Sequence, residues 1–230
     1  MSAAVIMLHG SGDSGAGIEG WLEFASDGSF ISGMRRANIK MIYPDAPSIP
    51  YTLAGGRHQA VWFDRKQMSY EAPEDPVGIA RSLEQVDTLI DGLVQEGISP
   101  RRICVAGMSM GGCLALHVAY GNGRWSGKLG ACAMMSSFLA EDSALDEAAS
   151  QRFVTPVGDN SAPALFMATG GADAMVKVTW VERTRIRLEA AGILVPPQVS
   201  VFPGLGHDLC RPEIDELSNF FVSTLTSEVG

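Results

Sequence analysis

Residues 103–123, reading ICVAGMSMGGCLALHVAYGNG, contain no Asp, Glu, Lys or Arg. A stretch this long without charge either crosses a bilayer, for which roughly 20 apolar residues suffice, or lies buried in a globular core. Ser109, His117, Asn122 and the Gly111-Gly112 pair suit a tight turn and a packed helix better than hydrocarbon. The segment therefore reads as a buried strand, a sharp turn and a buried helix. The N-terminal MSAAVIMLHG has no basic region ahead of its apolar run, so neither a signal peptide nor stable membrane insertion is expected.

The same order of elements recurs along the chain: a short apolar run, a loop containing glycine, then an amphipathic helical pattern. Strands are expected at 4–8, 39–43, 102–106, 129–135, 164–168 and 198–202, and helices at 18–25, 77–96, 110–120, 176–191 and 212–225. In the second helix Ile79, Leu83, Val86, Ile90, Leu93 and Val94 share one face, with Glu84, Asp87, Asp91 and Glu96 directed away from it. Gly97 closes that helix, and Pro212 suits the first turn of the last one, where its missing N–H costs nothing. Alternating strands and helices imply an α/β fold, with a mainly parallel central sheet and helices on both faces. Strands that are apolar nearly throughout agree, because such a sheet is covered on both sides.

No repeat, low-complexity tract or Pro/Gly-rich linker divides the chain, so residues 1–230 read as a single domain. Residues 44–76 and 136–162 lack periodicity. Loops at the carboxyl ends of strands carry functional groups in α/β sheets, and these two are expected to wall a site. With 46% hydrophobic and 19% charged residues the chain can bury a core, which excludes disorder for most of it. The net charge of −9 argues against nucleic acid as a partner, since no Lys/Arg cluster is present to neutralise phosphates. Cys104, Cys113, Cys132 and Cys210 lie far apart; reduced thiols in a cytoplasmic setting are expected. No metal-ligand spacing is recognised, and neither metal nor cofactor is expected.

The strongest chemical signal is Gly107-Met108-Ser109-Met110-Gly111, a G-x-S-x-G between an expected strand and an expected helix. That context is the nucleophile elbow, a strained turn that exposes the serine Oγ. A serine needs a base within hydrogen-bond reach, itself oriented by an acid. His207, in the Gly-rich loop after the last strand, is the expected base; His9, His58 and His117 fall at unsuitable chain positions. The order Ser…Asp…His requires a carboxylate between them, just past a strand end. Asp173 fits, with capping of the next helix as its alternative role. Asp142, Asp146 and Asp159 lie in the irregular loop before that strand, and Asp208 adjoins the base too closely. Donors for the oxyanion are expected from the Met110 N–H and from the Ser11 N–H in the loop LHGSGDSG, which Asp13 would tie down.

These residues together resemble the acyl-protein thioesterase group of the α/β-hydrolases, the phospholipase/carboxylesterase family. The matching stretches are LHGSGDSG (8–15), YPDAP (43–47), WFDR (62–65), GMSMGGC (107–113), the acid loop 170–176 and the run 202–207 before the base. The resemblance implies Ser109, Asp173 and His207 as catalytic residues, the Ser11 and Met110 amides as the oxyanion hole, and Trp62 as a wall of the acyl pocket. Met108 is expected beside the substrate as well, its thioether suiting an adaptable apolar surface. Thr169 stands where the family usually has His, Met110 where thioesterases proper carry Gln, and Ser11 where they carry Leu. The latter two features match the lysophospholipase-like branch, which implies a shallow pocket and short to medium acyl groups. The expected activity is hydrolysis of acyl esters or thioesters, on a small molecule or an acylated protein. The alternatives are a long-chain lysophospholipase or depalmitoylase, another chemistry on the same triad, or a binding module without turnover.

Overall fold

The computed structural model describes residues 2–154 and 162–227. In chain order they form β1 (Ala3–Leu8), α1 (Gly15–Ala25), α2 (Ser29–Arg36), β2 (Ile39–Ile42), β3 (Ser48–Pro50) and β4 (His58–Ala60). Then follow α3 (Pro76–Gln95), β5 (Ile103–Met108), α4 (Met110–Tyr120), β6 (Ala131–Met135), α5 (Leu145–Phe153), β7 (Ala164–Gly170), α6 (Val178–Ala190), β8 (Ser200–Phe202) and α7 (Arg211–Thr226). Six strands pair in parallel in the order β2-β1-β5-β6-β7-β8. β3 and β4 make a separate antiparallel hairpin.

Successive side chains of a strand point to opposite faces, and the core is sorted accordingly. Ala4, Ile6 and Leu8 of β1 join Ile103 and Val105 of β5 and Cys132 and Met134 of β6 on one face, under α3, α4, α5 and α6. Ala3, Val5 and Met7 join Cys104, Ala106, Ala131 and Ala133 on the other, under α1, α2 and α7. Every residue of β1, β5 and β6 is buried, which is why these strands are apolar at each position. The uncharged stretch 103–123 is β5, the turn and α4, whose residues are all buried. Among the described residues no helix is long and apolar enough to cross a membrane.

The chain winds from β1 out to β2 and returns to β5 on the other side of β1, so the sheet order reverses between β1 and β5. A crevice opens at the carboxyl ends of strands where such a reversal occurs. The register places Leu8 opposite Gly107, Gly107 opposite Met134 and Met134 opposite Met167. The loops after β1, β5, β6 and β7 therefore leave the sheet at one level.

Helix ends follow local chemistry. Ser14 caps α1 by accepting from the Gly17 N–H at 3.0 Å. Asp75 caps α3 by accepting from the Gly78 N–H at 3.0 Å, with Pro76 following as its first residue.

Several elements had no counterpart in the sequence reading. Residues 44–76 hold the β3–β4 hairpin and residues 136–162 hold α5, while α2 lies in a stretch assigned no element. Strands of three residues carry no readable alternation, and α2 is short, contains Gly33 and follows Gly28 in the left-handed region instead of a capping side chain. Asp87, expected on the polar face of α3, is buried, with its Oδ2 accepting from the Arg124 N–H at 2.9 Å. The loop after α4 wraps over it. Asp159 lies outside the described residues.

Candidate active site

Ser109 stands between β5 and α4 with φ 54° and ψ −121°, a conformation costing roughly 1–3 kcal/mol for a residue with a β-carbon. Its neighbours hold it there. The Ser109 N–H donates to the Met135 carbonyl at 2.9 Å, and the Ser109 carbonyl accepts from Gly112 at 3.0 Å. The turn can be this tight only without side chains at two positions. A β-carbon on Gly107 would lie 2.3 Å from the Gly111 backbone, and one on Gly111 would lie 2.3 Å from the Leu8 carbonyl oxygen.

Asp173 follows β7 and His207 follows β8. His207 Nδ1 lies 2.7 Å from Asp173 Oδ2, and the carboxylate is fully buried while the imidazole is partly open. Asp173 Oδ1 accepts from the Met175 and Val176 N–H groups, each at 2.8 Å. A carboxylate only accepts, so the Nδ1–H donates and Nε2 is left as the basic nitrogen. Ser109 and His207 line one cleft of about 200 Å³ together with Gly10, Ser11, Asp13, Trp21, Met108 and Met175. The hydroxyl and the imidazole thus come from two strand ends to one cleft, with the carboxylate from a third buried behind the imidazole. Met110 opens α4 directly after Ser109, so its N–H is among the unbonded donors at the positive end of that helix.

The loop carrying Ser11 is pinned by His9. Ala46 N–H donates to His9 Nε2 at 3.0 Å, so Nδ1 carries the proton and donates to the Gly10 carbonyl at 2.7 Å. Farther along, the Gly12 N–H donates to the Ala60 carbonyl at 2.9 Å and the Gly15 N–H to Asp45 Oδ1 at 2.7 Å. Asp13, expected to tie this loop down, lines the cleft instead. Trp62 also departs from expectation. Its indole is fully buried beneath the loop, donating from Nε1 to the His9 carbonyl at 2.9 Å, and its own carbonyl accepts from Arg81 and Ser82. It braces the loop from below and walls neither cavity at Ser109.

A second, much smaller cavity adjoins Ser109 away from His207. Only its innermost part, with room for roughly one water molecule, is enclosed; the rest is a groove that opens to solvent, about 250 Å³ with the open space counted, lined by Ser11, Met110, Tyr51, Arg65, Met68, Ser137, Phe138 and Val176. Of these only Ser11 and Met110 were singled out from sequence as site residues; Tyr51, Arg65, Met68, Ser137 and Phe138 come from the two aperiodic stretches, and Val176 from the acid loop after β7. Arg65 was readable only as the residue after Trp-Phe-Asp.

Glu74, Cys113 and His117 bring ligand atoms within 4.8 Å of one another, a cluster that no metal-ligand spacing in the sequence announced. Cys113 and His117 sit one turn apart on α4, and Glu74 reaches them from the loop before α3, 3.1 Å from His117 Nε2. Burial works against charge on His117, yet its bonds to Cys113 and Glu74 prevail and raise its pKa to about 10. The nitrogen, sulfur and oxygen set could hold a divalent metal; the acid and base also satisfy each other directly.

A parallel sheet with a strained serine after one central strand, and a histidine–carboxylate pair after the last two, defines an α/β-hydrolase. Residues 1–225 match the phospholipase/carboxylesterase family. The chain belongs to that family and is a serine hydrolase of carboxylic esters. It is 34% identical to lysophospholipase-like protein 1 of Mus musculus over 227 residues, covering 99% of this chain and 89% of the relative. It is 32% identical to acyl-protein thioesterase 1 homolog 1 of Dictyostelium discoideum over 225 residues, covering 97% and 91%. The crystal structure of Arabidopsis thaliana SOBER1 superimposes with a TM-score of 0.80 at 24% identity, covering 97% of this chain and 99% of that one, a likeness of fold.

Proposed function

We propose that the protein hydrolyses short to medium acyl esters and thioesters through an acyl-enzyme on Ser109, with His207 as base and Asp173 as its orienting acid. The observation that carries this reading is the shared cleft of Ser109 and His207, with His207 Nδ1 held by buried Asp173. His207 Nε2 takes the Ser109 proton as Oγ bonds to the acyl carbon. The oxyanion accepts from the Ser11 and Met110 N–H groups. The carbon–oxygen or carbon–sulfur bond then breaks, and His207 returns the proton to the departing alcohol or thiol. Water attacks the acyl-enzyme, His207 takes its proton, and Ser109 recovers its own as the acid leaves.

His207 lies in the larger, open cleft, so the leaving group belongs there, beside Met108, Trp21 and Asp13. The acyl group belongs in the small cavity under Tyr51, Met68 and Phe138. Its small enclosed part supports short acyl groups over the long chain of a palmitoyl thioester. Relatives bearing thioesterase and lysophospholipase-like names support acylated proteins or small acyl esters as substrates. The four free cysteines support a reducing, cytoplasmic setting.

The test is a fluorophosphonate probe with a series of p-nitrophenyl esters and matched thioesters of rising chain length. Labelling should disappear in Ser109→Ala, and kcat/KM should peak below about eight carbons. Labelling that persists in Ser109→Ala would remove the assignment, and a peak at palmitoyl would replace the substrate class.

A further inference from the structure

The small cavity beside Ser109 has a cation in its wall. Arg65 lines it together with the nucleophile. The guanidinium carbon sits 4.4 Å from the Phe138 ring centroid and 5.7 Å from that of Phe63. Stacking of this kind fixes the guanidinium plane and leaves its edge of N–H donors to be used elsewhere. One of those donors meets only the Met68 sulfur, at 3.8 Å. Among the described residues no carboxylate lies within ion-pair distance of Arg65, and the two acids nearest at hand are engaged elsewhere. Asp64 accepts from the Thr52 N–H and Oγ at 2.8 and 2.6 Å. Glu74, across an adjoining cavity that Arg65 also lines, is bonded to His117 and feels the Arg65 charge only as a secondary influence.

A guanidinium offers five donors in a planar fork that matches a carboxylate. Arg65 is part-buried and keeps contact with water, so an anion entering the groove gains this fork without displacing a carboxylate of the protein. An acyl chain of only a few carbons extending from Ser109 Oγ stays among these lining residues, Arg65 included. We infer that Arg65 selects short acyl groups that end in a carboxylate, the half-esters and half-thioesters of small dicarboxylic acids such as a succinyl group. This inference rests on the acyl-enzyme reading above and names its substrate class.

The net charge of −9 does not oppose it. Surface carboxylates more than about 8 Å away are largely screened at physiological salt. A contact pair with part-buried Arg65 is screened much less.

The experiment compares succinyl, 4-methylpentanoyl and succinamoyl thioesters of one thiol, after subtracting spontaneous hydrolysis. The second acyl group replaces the carboxylate by an isopropyl of the same shape, and the third replaces it by a neutral amide. The wild-type protein should favour succinyl over both by at least about 10-fold in kcat/KM. Arg65→Met should reverse that order while Arg65→Lys keeps part of it, with thermal melts showing that the variants fold. A wild-type preference for the isopropyl isostere would overturn the inference. So would a ratio unchanged in Arg65→Met, or equal losses on all three substrates, which would give Arg65 a general role at the reacting carbonyl. If Arg65→Met fails to fold, the wild-type ratios alone decide. Turnover of the uncharged thioesters reports on the hydrolase reading independently; no turnover of any of the three would overturn that reading and this inference together.

Discussion

Asp173 divides its carboxylate between two tasks: Oδ2 meets His207 Nδ1 at 2.7 Å, while Oδ1 accepts from the Met175 and Val176 amides at 2.8 Å. The second pair of bonds keeps the first in line, since the carboxylate cannot rotate without losing two amide donors. In Asp173→Asn an amide nitrogen replaces one oxygen. If the remaining oxygen stays with the two amides, the new NH₂ faces Nδ1 and forces the proton onto Nε2. The basic nitrogen is then lost. We expect kcat to fall by roughly 10³–10⁴, as for other triads with the wrong tautomer, with KM changing far less. Steady-state kinetics on a short-chain ester measure both.

Gly111 is where α4 comes closest to β1. A β-carbon there would stand 2.3 Å from the Leu8 carbonyl oxygen and 2.7 Å from that of His9. Both are rigid backbone atoms in a paired strand and the loop it launches. Gly111→Ala should destabilise the fold by about 3 kcal/mol or more, at the upper end for overpacking, read by urea denaturation. An unchanged midpoint would mean that helix and strand can separate.

Trp62 acts on the site from below. Trp62→Phe keeps most of the packing but removes the bond to the His9 carbonyl, leaving a buried acceptor unpaired at a cost of about 1–3 kcal/mol. Ser11 lies two residues farther along the same loop. A small displacement of its N–H should lower kcat by roughly 10-fold, since misplacement by about 1 Å can cost more than that. The two losses, one in the melt and one in kcat, should appear together.

Glu213 lies fully buried in the first turn of α7, and neither carboxylate oxygen has a hydrogen-bond partner among the described residues. Burial raises its pKa from 4.5 to about 8, with the Cys210 backbone opposing and nearby Glu216 and Asp208 adding to the rise. Between those values the folded protein keeps a proton that the unfolded chain releases, so stability falls as pH rises across the window. Glu213→Gln cannot ionise. It should raise the Tm at pH 8, change it little at pH 4.5 and flatten the decline between. Melts across that range measure it; equal slopes for both proteins would count against a buried neutral acid.

The sheet and the placement of Ser109, Asp173 and His207 at its strand ends were legible because each rests on local pattern. β1, β5 and β6 are apolar at every residue since both their faces are covered. Ser109, Asp173 and His207 each follow a strand, and their chain order suffices to place them at one edge of the sheet. What was not legible depends on contacts between loops. Trp62 lies in the core because the three-residue strands β3 and β4 fold residues 44–60 back against the Ser11 loop, and strands so short leave no alternation to read. Arg65 meets Phe138, and Glu74 meets Cys113 and His117, across separations that no spacing rule connects. Only the Cys113–His117 step, one turn of α4, carried a local sign of its cluster.

The groups around Ser109 hang from the carboxyl ends of four parallel strands, β1, β5, β7 and β8, so no contiguous fragment of the chain holds a working part of the site. Each parallel pairing needs its crossover to close first, and such non-local contacts form late and slowly in folding. Catalysis is thereby a readout of the completed sheet. During refolding, turnover should recover only with the docking of β8, which brings His207, and should lag the return of helical signal from α3 and α4. A nick in the loop between α6 and β8 that let β8 detach would abolish activity while leaving most of the core in place.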